Sequence, residues 1–327
     1  MIYNFEITDA SYVDFIDELR KHSLDYELIK RDKIVIRIFG HVDDGLRTRL
    51  DSLAESRRLV LKKSEERESP FADGKKMFIA GPCSVESEEQ LDAIARFLSS
   101  KGITYLRGGA FKPRTQSSSF QGLGKVGLKI LSETAHHYNM KVVTELMDRS
   151  QLNDVVEHAD IIQVGSRNMF NYTLLTALGS VDKPILLKRG MAATIDEWIF
   201  AADYIRKGGN TDIILCERGI RTFEPRTRFT LDILAIPLAK KISGLPVIAD
   251  ASHAAGNRDL VPPLVRAALA AGADGVMVEV HPAPGEALSD GAQSMSFGEY
   301  AELLVELHGA GWYHPTNLKA SQPNKPE

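Results

Sequence analysis

The chain has 327 residues, 43% of them hydrophobic and 26% charged, with a formal net charge of −4. That length suits one large domain plus a small one, and the acidic balance excludes a basic nucleic-acid-binding domain. No apolar run approaches the roughly 20 residues that span a bilayer. The opening "MIYNFEITDA" lacks the basic-then-apolar order of a secretory signal, and the only cysteines are Cys83 and Cys216. The chain therefore reads as soluble and cytoplasmic, without a disulfide framework.

Residues 1–63 read as a separate unit. "IYNFEI" alternates apolar and polar residues, "YVDFIDELRKH" carries apolar residues at helical spacing, and "YELI" and "IVIRIF" are strand-like. "DDGLRTRLDSLAES" is helical and "RLVLKK" is a last strand. The order βαββαβ is that of a ferredoxin-like module. The charged stretch that follows, with Pro70 and Gly74, reads as a linker over 64–76.

From Met77 the pattern becomes a repeat of strand and helix. Candidate strands are "MFIAGPCS", "YLRGGA", "KVVTELM", "IIQVGS", "PILLKRG", "IILCERG", "PVIADASH" and "GVMVEVH". Their mean spacing is about 28 residues, one βα unit each. Eight such units favour a (β/α)8 barrel over 77–311, with a tail over 312–327. A doubly wound open sheet is the alternative, although no G-x-G-x-x-G follows the first strand.

In a barrel the polar residues belong where each strand ends, at the mouth. Those ends supply Cys83, Arg107, Glu145, Arg167, Lys188, Arg218, His253 and Glu279. Strand alternation places Leu186 with Lys188, Cys216 with Arg218, and Met277 with Glu279, so each end residue continues the row that fills the barrel. Lys112 and Arg114 lie in the loop after Arg107, among glycines and hydroxyls. Six cations on one face of an acidic protein imply small polyanionic ligands, phosphate or carboxylate. Glu145 either neutralises one of the arginines or takes part in chemistry. Gly108, Gly109 and Gly122 serve turns or the close approach of a phosphate. Cys216 reads as a packed thiol.

Cys83, His253, Glu279 and Asp290 form a second set. They come from the first, seventh and eighth strands and the loop after the eighth, which are neighbours in a closed barrel. Mixed S, N and O donors suit one divalent ion of the Mn²⁺, Fe²⁺, Co²⁺ or Zn²⁺ type better than Mg²⁺.

"FIAGPCSVES", "LRGGAFKPRTQSSSFQGLG", "QVGSRNMFN", "PILLKRG", "ILCERGIRTFE", "IADASH" and "VEVHPAPGEALSDGAQS" together resemble the 3-deoxy-D-arabino-heptulosonate 7-phosphate (DAHP) synthases, in the class I branch with a short ferredoxin-like N-terminal domain. The resemblance runs through the whole barrel. It implies condensation of phosphoenolpyruvate with erythrose 4-phosphate at the start of the shikimate pathway, with a divalent ion as Lewis acid. Carried over residue by residue, it makes Cys83, His253, Glu279 and Asp290 metal ligands. Arg107, Lys112, Arg167, Lys188 and Arg218 become phosphoenolpyruvate contacts, and Pro113, Arg114 and Thr115 of "KPRT" hold the aldose phosphate. Lys112, Glu145 and His253 are its catalytic candidates. It further implies a homo-oligomer, a tetramer, with tyrosine or phenylalanine as effector at the N-terminal domain, and no nucleic-acid or membrane partner. Octulosonate relatives use a five-carbon aldose phosphate and show a "KANRS"-like loop in place of "KPRT". Two further readings are a Schiff-base aldolase with Lys188 as nucleophile and a non-catalytic phosphosugar sensor.

Overall fold

The computed structural model describes residues 2–7, 12–22, 24–30, 34–39, 43–53, 71, 76–112 and 120–315. They fall into two units, Met1–Ser69 and Pro70–Glu327. In the first, strands β1 (Ile2–Ile7), β2 (Asp25–Lys30) and β3 (Ile34–Phe39) form an antiparallel sheet with β3 in the middle. Ile36 and Ile38, two residues apart, share one face of β3. They are buried with Phe15, Ile16 and Leu19 of α1 (Tyr12–Lys21) and Leu46 and Leu50 of α2 (Asp44–Leu53). The i, i+4 spacing of Phe15 with Leu19, and of Leu46 with Leu50, gives each helix its apolar stripe. The predicted last strand, Arg58–Lys63, and most of the predicted linker lie outside the described residues.

In the second unit eight strands pair in parallel, each with the next: β4 (Met77–Gly81), β5 (Tyr105–Arg107), β6 (Lys141–Leu146), β7 (Ile161–Val164), β8 (Ile185–Lys188), β9 (Ile213–Glu217), β10 (Val247–Asp250) and β11 (Gly275–Glu279). The last closes on the first in register from Gly275 against Met77 to Glu279 against Gly81. The sheet is thus a closed (β/α)8 barrel and not a doubly wound open one. Side-chain alternation splits the core in two. Met77, Ile79, Leu186, Ile214, Cys216, Ile248 and Met277 fill the barrel. Their neighbours along the strands, such as Phe78, Ala80, Leu187, Leu215 and Val278, pack outward against the helices.

The outer layer comprises α3 (Glu88–Ser100), α4 (Gly124–His137), α5 (Leu152–His158), α6 (Tyr172–Leu178), α7 (Ile195–Lys207), α8 (Ala235–Ser243), the short α9 (Ala251–Ala255), α10 (Val261–Ala270) and α11 (Phe297–Gly309). Side chains start several of them. Ser87 caps α3, and Thr194 with Glu197 and Ser296 with Glu299 form capping boxes on α7 and α11. Trp198 of α7 is fully buried, and its indole N–H donates to Leu187 O at 3.1 Å. The tail predicted from residue 312 begins later than expected, because Tyr313 is 6% exposed and packs edge-on against Phe78. Among the described residues no helix is long and apolar enough to cross a membrane.

Four polar residues assigned to strand ends sit just beyond them. Gly81, at φ +148°, turns the chain out of β4, so Cys83 lies in the following loop. A Cβ at Gly81 would stand 2.1 Å from Arg107 O, which excludes any other residue at that bend. Arg167 falls in a single 3-10 turn, Ser166–Asn168, and Arg218 follows β9 directly. His253 belongs to α9, because the Asp250 carboxylate accepts from His253 N at 3.0 Å and starts a helix there.

Candidate active site

Glu279, the last residue of β11, is completely buried at the mouth of the barrel. Its Oε1 accepts from Arg107 Nη1 at 2.5 Å and its Oε2 from Gln293 Nε2 at 2.6 Å. Burial alone would raise its pKa, but His253, Arg107 and Lys112 outweigh it and hold the carboxyl down at about 2. Glu279 therefore enters any reaction as an anion.

Cys83 donates from Sγ to Asp290 Oδ2 at 3.0 Å, and Lys112 Nζ lies 2.8 Å from Sγ and 3.2 Å from Cys83 O. Burial, reinforced by Glu279 and Asp290, pushes the thiol up to about 12 despite Lys112. Lys112 is moved up from its ordinary value, since Cys83 and Glu279 together overcome the opposing effect of burial. Gly109 permits this contact: a Cβ there would meet Cys83 O at 2.9 Å and Lys112 Cδ at 3.0 Å. Its lack of a side chain thus serves a protein–protein approach within the site.

His253 Nε2 stands 3.5 Å from Glu279 Oε1, and its Nδ1 is 2.8 Å from Asp250 Oδ2 without making a hydrogen bond. Burial lowers its pKa against the pull of Asp250 and Glu279, so the imidazole is neutral near pH 7. In Asp290, burial and Glu279 press the pKa upward, but the Cys83 hydrogen bond, His253 and Lys112 leave it below the usual value. One donor atom from each of Cys83, His253, Glu279 and Asp290 fits within 4.8 Å of the others. A neutral imidazole backed by a buried carboxylate, two carboxylates and a sulfur fit a divalent transition ion.

Lys188 Nζ is bonded to Asp250 Oδ2, and both side chains are buried. That full counter-ion stands where a Schiff-base aldolase needs a free amine. Arg218, 5% exposed, stacks its guanidinium 4.0 Å from the centre of the Phe229 ring. Glu145 does not neutralise Arg107, which Glu279 takes; its Oε2 accepts from Gln163 Nε2 at 3.1 Å. A Cβ at Gly165 would fall 2.0 Å from Glu145 Oε1, so the glycine leaves room for that carboxylate. Among the described residues, Arg167 makes no side-chain ion pair with the cluster. Pro113, Arg114 and Thr115 lie outside the described residues.

Two members of the site were not singled out from the sequence. Asp250 touches both Lys188 and His253 and is held well below the ordinary carboxylate range, His253 and Lys188 outweighing its burial. Its position at the end of "VIAD" is a signal of the same kind as that of Glu279. Gln293 bridges Glu279 and Arg228 from a single 3-10 turn, Gly291–Gln293, and no local pattern points to it.

A barrel mouth lined by a candidate metal-donor set and buried cations has the layout of an enzyme site, and comparison with known proteins narrows it. A family described as "DAHP synthetase I family" matches residues 63–313. The phospho-2-dehydro-3-deoxyheptonate aldolase of Thermotoga maritima is 57% identical over 229 residues, covering 70% of this chain and 68% of its own. The 2-dehydro-3-deoxyphosphooctonate aldolase of Desulfotalea psychrophila is 31% identical over 249 residues, covering 71% and 88%. A crystal structure of the T. maritima phospho-2-dehydro-3-deoxyheptonate aldolase (DAHP synthase) superposes with a TM-score of 0.72 at 45% identity, covering 95% of this chain and 96% of that one. The chain belongs to the DAHP synthetase I family.

Proposed function

We propose that the chain condenses phosphoenolpyruvate with erythrose 4-phosphate and water to give DAHP and phosphate. The observation that carries this reading is the meeting of Cys83, His253, Glu279 and Asp290 beside the buried cations Arg107 and Lys188 and the half-buried Lys112. Those four residues would hold a divalent ion, which would supply Lewis-acid polarisation of the aldehyde. Arg107, Lys112, Arg167, Lys188 and Arg218 bind the phosphate and carboxylate of phosphoenolpyruvate and aim its C3 at the aldehyde carbon. C3 forms the new bond, water adds at C2, and phosphate leaves by C–O cleavage. Lys112, kept charged by Cys83 and Glu279, is the proton donor of this reading, with Glu145 as the other acid–base group and His253 committed to the ion.

The family likeness extends to octonate enzymes, so the aldose is the point to test. The Pro113 ring restricts φ and biases the preceding residue toward extended backbone, which would limit the positions open to Lys112 and Arg114 in binding the aldose phosphate, with Thr115 as a further hydroxyl donor on this reading. Erythrose 4-phosphate is expected to exceed arabinose 5-phosphate in kcat/KM by about 10–200-fold, the scale of one carbon in a fitted pocket. Pro113→Ala should narrow that ratio. A purified protein that prefers arabinose 5-phosphate overturns the heptulosonate assignment.

Residues 1–63 hold none of the site residues, which supports a regulatory role for a ferredoxin-like domain binding tyrosine or phenylalanine in a cytoplasmic homotetramer. Deletion before Met77 is expected to keep turnover and to remove feedback inhibition by those amino acids. A folded truncation without activity assigns the module to the catalytic unit instead.

A further inference from the structure

The loop leaving β4 and the loop leaving β11 are fastened side by side in antiparallel order. Cys83 bonds to Asp290, Ser84 Oγ lies 2.5 Å from Ser289 Oγ, and Leu288 N donates to Glu86 Oε1 at 2.9 Å. The other carboxylate oxygen of Glu86 is 3.5 Å from His281 Nε2, without making a hydrogen bond. Ala283 N donates to His281 Nδ1 at 3.1 Å, so Nε2 carries the ring proton and faces Glu86. Glu86 is itself fixed, its N–H donating to Gln90 Oε1, while Gln90 Nε2 donates to Ser84 O.

These contacts converge on a strained residue. Asp290 has φ 50° and ψ 34°, a left-handed conformation that is unfavourable for a residue with a side chain. Such a conformation persists only where its surroundings over-determine it. Ser84 and Ser289 are buried but pin one point of the loop. Glu86 accepts from the backbone N–H of Leu288, two residues before Asp290, and so helps to set the path of the backbone entering Asp290.

We propose that Glu86 is a positioning residue of the ion site: its carboxylate holds the loop at Leu288 so that Asp290 is presented beside Cys83 and Glu279. It touches none of the four donors' ligand atoms and acts through the loop. The inference rests on the reading that those four residues bind a divalent ion, and the test separates the two.

Full-length protein, stripped with a chelator, is titrated with Co²⁺ while the near-ultraviolet thiolate-to-cobalt band is followed. If the unsubstituted protein gives no such band, the ion-site reading fails. Given the band, Glu86→Ala is expected to weaken Co²⁺ binding by about 10–100-fold, the range for groups that orient metal ligands, and to recover the band at saturation. The melting temperature of the metal-free variant should change little. Glu86→Gln, which turns an amide N–H2 toward either Leu288 N–H or His281 Nε2–H, should lose a smaller part of the affinity, and it decides the matter if Glu86→Ala does not fold. Unchanged Co²⁺ affinity in the folded variant overturns the proposal.

Discussion

Cys83→Ala is expected to fold, to lose at least about 100-fold in affinity for a divalent ion and to lose turnover with it. Cys83 is 2% exposed and is the only sulfur of the donor set, so its removal takes away the ligand that favours a transition ion over Mg²⁺. Exhaustive chelation of the unsubstituted protein should have the same effect, reversed by Mn²⁺ or a similar ion. The pH dependence has a definite sign. With the thiol pushed up to about 12, an ion that binds Cys83 as thiolate must expel its proton. Apparent affinity therefore rises with pH, by about tenfold per unit for each proton released. Full activity in protein shown by elemental analysis to be metal-free would sink the ion assignment.

Lys188→Ala is expected to damage two equilibria at once. If Lys188 holds phosphoenolpyruvate, losing that charge-assisted contact weakens binding by about 2–5 kcal/mol, roughly 30-fold to several thousand-fold. The same change leaves the fully buried Asp250 without its cation, which costs the fold about 3–5 kcal/mol. Calorimetric titration with phosphoenolpyruvate and urea unfolding measure these separately. The double variant Lys188→Ala/Asp250→Asn should regain most of the stability and none of the ligand affinity. Unaltered phosphoenolpyruvate binding in Lys188→Ala would place the substrate elsewhere.

The barrel was legible in the sequence because each apolar run ends in one polar residue, and parallel strands buried on both faces leave little other room for charge. The same rule brought Arg107, Lys188 and Glu279 to the mouth correctly. It overran the strands at Cys83, Arg167, Arg218 and His253, since the sequence pattern continues through residues that a glycine turn or an Asp cap takes out of the sheet. The donor set was legible as residue types, but not the pairing within it. That Arg107 is answered by Glu279 and not by Glu145 depends on β5 and β11 standing on either side of β4, a relation that only closure creates. Gln293 was invisible for the same reason, because its partners Glu279 and Arg228 come from β11 and from another loop.

The donors also straddle the seam. Cys83 follows the first barrel strand, Glu279 ends the last, and the Cys83–Asp290 contact spans 207 residues. Bringing together ends so far apart costs about 2 kcal/mol more in chain entropy than closing a loop the size of one βα unit. During synthesis, the cations Arg107, Lys112 and Lys188 leave the ribosome long before Asp290, and no intermediate that lacks β11 contains an assembled donor set. On the proposed reading, an assembled donor set thus requires β11: a product terminated before it can display the cations Arg107, Lys112 and Lys188, yet it lacks the residues that would hold the ion beside them.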